Sequence, residues 1–327
     1  VRIAVTGSIA TDHLMAYPGR FADQLVAGHL DRVSLSFLAD TLEIRHGGVA
    51  ANISVGLGRL GLRPLLVGAA GGDFAEYRRW LEANGVDTGP VRVSDSLHTA
   101  RFVCTTDAEQ NQIATFYPGA MSEARQIVLS AVAQRAQGLD LVVVAPGDPQ
   151  AMVRHTEECR GLGVPFAADP SQQLTGLAAE DVRRLVDGAR LLFGNEYEAA
   201  LLQQRTGWDA SGLLARVGAR VTTLGPQGVL LARRGEPELR IPAVPAARVL
   251  DPTGAGDAFR AGFLAGTAWH WPLDRAAQLG CAMATAVLES VGTQEYELSA
   301  ADLSRRIEAC YGTPAARAIA RRLAAVR

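Results

Sequence analysis

Residues Asp251 to Phe263 read DPTGAGDAFRAGF, thirteen positions that hold three glycines, one proline and two carboxylates. The stretch then turns apolar with Phe259, Ala261 and Phe263. ARVL leads in as extended chain and DAFRAGFLAGTA leads out as a helix. The pattern predicts a rigid turn opening a helix, with Gly254, Ala255 and Gly256 presenting successive backbone N–H groups at its N-terminus. Fixed amide dipoles in that arrangement bind an anion, and glycine lets a phosphate approach the backbone closely. Asp257 falls in the first helical turn, where an aspartate commonly caps. A second acid beside a phosphate site repels its ligand unless it has a task. The task that suits it is acceptance of the proton from a hydroxyl that attacks the phosphate.

Such a turn needs a scaffold. Short apolar runs (RIAVT, PLLVGAA, LVVVA, PFAAD, LLFGN, RVTTL) alternate with amphipathic stretches such as FAEYRRWLEANG and MVRHTEECRGLG. Buried strands alternating with helices predict an α/β fold, a mostly parallel central sheet flanked by helices. Two regions break the rhythm. RVSLSFLADTLEIRHGG reads as two strands joined by a turn near Ala39 and Asp40, and TARFVCTTDAEQNQIATFYPG as a hairpin with a polar tip at Asp107 to Asn111. From segments within 12–47 and 97–118 these predict a small β-sheet lid on a single domain spanning 1–327. The last 74 residues, from Gly254 onward, read as mainly helical. GLGRLG, Gly56 to Gly61, matches a dinucleotide fingerprint in letters but has its helix before it and its strand after it. Reversed in that way, its glycines serve close helix packing and a helix C-cap at Gly61.

Composition narrows the function classes. The 327 residues are 48% hydrophobic with a net charge of -2, so no basic surface argues for nucleic acid. No apolar run reaches the length of about 18 residues that a membrane span needs. The N-terminal VRIAVTGSIA lacks the layout of a signal peptide, and Cys104, Cys159, Cys281 and Cys310 form no C-x-x-C pair, which together predict a cytoplasmic protein with buried, reduced thiols. All 32 basic residues are arginine. Without lysine there is no Schiff base, no P-loop lysine and no protein-kinase strand lysine, so backbone amides, arginines or a metal must handle phosphate.

Four motifs resemble one family. DPTGAGDAFRAGF resembles the C-terminal signature of the ribokinase-like carbohydrate and nucleoside kinases, and GGVAANISVGLGRLG, Gly47 to Gly61, resembles their N-terminal signature. GNEYE carries their Asn-x-x-Glu motif as Asn195 and Glu198, and TLGPQG resembles their Thr-x-Gly-x-x-Gly turn near the nucleotide. The resemblance implies ATP-dependent phosphorylation of a primary hydroxyl, with Asp257 as base and the amides of Gly254, Ala255 and Gly256 as anion hole. It implies Mg²⁺ held largely through waters by Glu198 with Asn195, nucleotide contacts at Asn195, Thr223, Gly225, Gly228 and Thr253, and a monovalent cation, K⁺, bordered by Asp251 and Thr253. As residues alone, Asn195 and Glu198 also read as a helix N-cap with its N3 acid.

At the acceptor end, the resemblance makes Asp12 of GSIATDHL the acid for sugar hydroxyls, with Gly48 and Asn52 completing a vicinal-diol clamp. One carboxylate and one amide suit two neighbouring hydroxyls, because each satisfies two partners. Many sugar kinases of the family have lysine where Val49 stands. Phe102 and Phe116, on opposite arms of the expected hairpin, can face a cleft and sandwich a flat base. Gln172 and Gln173 in DPSQQL follow a strand and can read a base edge with donor and acceptor together. Many relatives have Asp-Pro-Asn at this point, so Ser171 is a departure. TGSIATDHL, GGVAAN, FYPGAMSEAR, FAADPSQQL and DPTGAGDAFRAGFL together look like the bacterial adenosine kinases of the family, which adds Ser8 to the nucleoside contacts. The expected activity is adenosine to AMP in purine salvage. A ribokinase- or fructokinase-type sugar kinase, a guanosine, inosine or cytidine kinase, and a non-catalytic ligand-binding relative are the alternatives. The lid's exposed edges predict a homodimer.

Overall fold

The computed structural model describes residues 1–25 and 34–323. Six parallel strands form most of an eight-stranded sheet, in the order Leu65–Val67, Ile3–Thr6, Leu141–Val144, Phe166–Ala168, Leu191–Asn195, Ala219–Thr223. Val229–Ala232 and Leu239–Ile241 continue it antiparallel at one edge. The strands read as unbroken apolar runs because both faces are covered. In Leu191–Asn195, Phe193 joins the core under the helices Ala255–Ala268 and Leu273–Leu288, while Leu192 joins the core under Pro149–Leu162 and Ala179–Val186. The GLGRLG segment ends the helix Val49–Arg59, and Gly61 takes a left-handed φ of 78° just beyond it. A side chain at Gly58 would collide with the carbonyl of Asn84, so these glycines serve packing.

A second, four-stranded sheet has the order Thr41–Gly47, Ala10–Ala16, Ala100–Thr106, Gln112–Tyr117. The hairpin lies where its pattern predicts, with Asp107 closing the tip by accepting from the backbone N–H of Glu109 and Asn111. The other expected strand pair is corrected. Residues 32–33 lie outside the described residues, and 34–39 form no strand. Thr41–Gly47 pairs instead with Ala10–Ala16, directly after the first core strand. The alternation in SLSFL reports one-sided burial without a ladder: Phe37 packs on Tyr17 and Phe21 at ring distances of 5.0 and 4.8 Å.

Cys104, Cys159 and Cys281 are buried as expected, and Cys310 is half-buried. Among the described residues no helix is long and apolar enough to cross a membrane.

Candidate active site

The glycine turn forms as its letters predict. Gly254 is the N-cap of the helix Ala255–Ala268, at φ 78°, and Asp257 stands in the first turn. A Cβ on Gly254 would sit 2.9 Å from the Thr293 side chain, so glycine is required for both shape and space. The first turn of a helix leaves N–H groups without intrahelical acceptors, although the Ala255 N–H bends back to the Pro252 carbonyl at 3.3 Å.

The small sheet faces this helix start across a cavity of about 490 Å³. Ser8, Asp12, Gly48, Asn52, Phe102, Phe116, Gln172, Gln173, Thr253, Gly254 and Asp257 all line it. Ser8 and Gly48 meet at its floor: Ser8 Oγ accepts from the Val49 N–H at 2.9 Å, and Gly48 has a φ of 94°. A Cβ there would lie 2.6 Å from the Ser8 carbonyl oxygen. Strand register sets the wall. Asp12 pairs with Phe102 and Phe102 with Phe116, and laterally paired residues share one face. The two rings therefore stand side by side as a single apolar wall. That corrects the expected sandwich, which needs rings on opposite sides of the cleft.

Burial raises both carboxyls that line the cavity. Burial pushes Asp257 up to about 6, against the pull of Arg260 and of the Asn52 amide, whose Nδ2 donates to Asp257 Oδ2 at 2.8 Å. Burial also pushes Asp12 up to about 6, helped by Glu295 and Asp251 and opposed by Arg45. Behind Asp257, Arg260 forms a buried ion pair with Asp169, Nη2 to Oδ1 at 2.7 Å. Asn52 differs from its expected freedom, because its Oδ1 already accepts from Gln294 Nε2 at 2.8 Å, with the Thr293 hydroxyl 3.0 Å away. It can meet a ligand only as a donor.

Asn195, Glu198, Thr223, Gly225 and Gly228 do not line this cavity. They sit at or just past the C-terminal ends of two neighbouring core strands, whose last residues, Asn195 and Thr223, are register partners. Asn195 and Glu198 form a capping box, Asn195 Oδ1 accepting from the Glu198 N–H and Glu198 Oε2 from the Asn195 N–H, each at 2.8 Å. Ser171 Oγ donates to Glu198 Oε1 at 3.1 Å, which ties that end to the Gln172 loop. Gly225 and Gly228 both take positive φ, and Gly228 abuts the Ile241 carbonyl. Asp251 caps its own loop, Oδ1 accepting from the Thr253 N–H at 2.9 Å and Oδ2 from the Gly292 N–H at 3.1 Å. Sequence reasoning missed Met121, Pro146, Gly147 and Thr293 in the lining. Pro146 and Gly147 carried a signal, a break directly after a buried strand. Thr293 carried none.

A family model, that of the pfkB family of carbohydrate kinases, matches residues 5–300. The chain belongs to this family. It is a kinase, a phosphotransferase, with the ribokinase-like α/β fold. A nucleoside kinase of Methanothermobacter thermautotrophicus is 35% identical over 271 residues, 82% of this chain and 86% of that protein. A solved structure of Burkholderia thailandensis nucleoside kinase in ligand-free form has a TM-score of 0.84 at 36% identity, covering 94% of this chain and 100% of that one. The structure of the same kinase with inosine has a TM-score of 0.82 at 35% identity, covering 95% and 98%.

Proposed function

We propose that this pfkB-family kinase transfers the γ-phosphoryl group of ATP to the 5′-hydroxyl of a nucleoside, with adenosine the leading substrate and AMP the product. One observation supports it: a single cavity is lined by Gly254 and Asp257, by Asn52 hydrogen-bonded to Asp257, and by Gly48 and Asp12, from which the strand register leads on to Phe102 and Phe116. That order matches a primary hydroxyl, a vicinal diol and a flat base. The similarity to a kinase solved with inosine supports a purine nucleoside. Val49, where many sugar kinases have lysine, supports a nucleoside over a bare sugar.

In this mechanism the Asp257 carboxylate accepts the 5′-hydroxyl proton as the oxygen attacks. Backbone amides of Gly254, Ala255 and Gly256 offset charge on the transferred group. Asp12 accepts from the ribose hydroxyls, Asn52 donates to one of them, and Ser8 and Gly48 close the floor. Gln172 and Gln173 reach the base edge. Glu198 and Asn195, with Ser171 beside them, offer hard oxygen atoms that would hold Mg²⁺ through waters, since that ion dehydrates reluctantly. When bound it neutralises phosphate charge. Thr223, Gly225, Gly228 and Thr253 contact the nucleotide. Asp251 spends one lone pair of each oxygen on its loop and keeps others for K⁺. The protein works in the cytoplasm as a homodimer. Among the described residues the sheet face turned from the cavity exposes Leu42, Ile44, Ile113 and Tyr117, an apolar surface suited to a second copy.

A coupled assay across adenosine, guanosine, inosine, cytidine, ribose and fructose tests the activity. Turnover of a sugar with every nucleoside inert would overturn it. The wall has its own test. A stacked ring contributes roughly 1–3 kcal/mol, so Phe102→Ala raises the KM for adenosine about tenfold or more. Unchanged adenosine kinetics would make the rings ordinary packing of the small sheet. For pH, protonation removes the base at Asp257 and the acceptor at Asp12, both near 6. The value of kcat/KM therefore falls as pH drops through about 6, more steeply than one proton allows. A flat profile down to about pH 5 would contradict both assignments.

A further inference from the structure

A run of hydrogen bonds behind the cavity has its direction decided at one end. The indole N–H of Trp80 can only donate, and it donates to Gln294 Oε1 at 2.9 Å. Gln294 must then present Nε2 on its other side, where it donates to Asn52 Oδ1 at 2.8 Å and to the Tyr77 hydroxyl at 2.6 Å. The Tyr77 hydroxyl in turn donates to the Gly47 carbonyl at 2.8 Å, within the diglycine turn. With Oδ1 held, Asn52 can offer Asp257 only its Nδ2. Thr293 cannot make this choice alone, because its hydroxyl has one proton, lies 3.0 Å from both Asn52 Oδ1 and the His46 carbonyl, and can accept as well as donate. Gln294 is fully buried and Asn52, Tyr77 and Thr293 nearly so, so exchange with bulk water does not scramble the order.

The amide has two orientations beside the carboxylate. In one it donates. In the other it sets oxygen against oxygen, which disfavours the ionised acid. From this geometry we infer that Gln294, oriented by Trp80, is a positioning residue for phosphoryl transfer: it locks the Asn52 amide so that Asn52 donates to Asp257 and keeps that carboxylate ionised and aimed. This rests on the reading of Asp257 as general base. The titratable and charged groups around Asp257 are Arg260 on its own helix, Asp169 after the strand Phe166–Ala168, the buried Tyr296 two residues past Gln294, and Asp12 across the cavity.

Gln294→Met and Trp80→Phe test it. Both are neutral, so neither adds a charge that would itself move Asp257. The readout is the pH dependence of kcat at saturating nucleoside, using whichever of adenosine, guanosine, inosine and cytidine turns over fastest. Saturation holds Asp12 against the ribose, so the acid limb of kcat reports Asp257. Gln294→Met lowers kcat about tenfold and moves the acid limb up by about one pH unit, the size expected from a lost hydrogen bond to a carboxylate. Trp80→Phe moves it the same way by less. Profiles of both variants that overlay the unmodified enzyme overturn the inference. If Gln294→Met does not fold by thermal melting, Trp80→Phe, at a partly exposed site, decides alone. Asp257→Asn in the same assay separates the two claims. Near-normal kcat there removes the base assignment itself, whereas a dead Asp257→Asn with unshifted Gln294→Met and Trp80→Phe removes only the positioning role.

Discussion

Asp257→Asn binds the nucleoside and loses turnover by at least about 10²-fold, the scale of a missing general base. The substitution is nearly isosteric. It leaves the helix start at Gly254 and the anion site intact, so the loss falls on kcat and not on nucleoside affinity. It also exchanges a carboxylate for an amide opposite Asn52 Nδ2, at 2.8 Å. The new amide can turn its oxygen to that donor, so the bond survives while the capacity to take a proton does not. The check is single-turnover kcat beside calorimetric affinity for the nucleoside. Near-normal turnover would remove Asp257 from the chemistry, and a matching loss of affinity would make its role one of binding.

Asp12→Ala lowers kcat/KM for adenosine by about 10²-fold, because it deletes charge-assisted hydrogen bonds worth about 1.5–3 kcal/mol each. Asp12 reaches the cavity from the strand Ala10–Ala16, in the row that continues through Phe102. Burial already holds its carboxyl near 6, so bonds from ribose hydroxyls are what favour its ionised form. The diagnostic measurement compares adenosine with 2′-deoxyadenosine. The unmodified enzyme prefers adenosine because a lone hydroxyl leaves the carboxylate under-satisfied. In Asp12→Ala that preference collapses toward one. A preference that persists undiminished would place diol recognition elsewhere.

Local features were legible because the chemistry that makes them acts over a few residues. The unbroken apolar runs could only be strands buried on both faces. The glycines of DPTGAGD read as a turn opening a helix, and the turn forms at Gly254 with Asp257 in the first helical turn. The hairpin followed from alternation on either side of a polar tip, and with it the pairing of Phe102 and Phe116. The N-terminal signature added Gly48 and Asn52 as candidates, and the further resemblance carried by TGSIATDHL and FAADPSQQL added Ser8, Asp12 and the glutamines; all of these line the cavity.

What the letters left open depends on segments distant in the chain. Thr41–Gly47 finds its partner in Ala10–Ala16, a strand without clean alternation because most of its side chains are half-buried on both faces. Phe102 and Phe116 were identified as facing residues, but only the sheet register makes them one wall. The Asn52–Asp257 bond spans 205 residues, and Asn52 takes its orientation from Gln294 and ultimately Trp80, on two further segments. No periodicity encodes such a bond. Periodicity reports which face of an element is apolar, whereas the direction of a buried amide is decided by whichever donors the packed helices bring against it. The sequence by itself determined most of the elements, the glycine turn at Gly254 and the place of Asp257 in the first turn of the helix that follows. Tertiary packing decided which way the neighbouring amide points, because only packing brings Trp80, Gln294, Asn52 and Asp257 within hydrogen-bond distance of one another.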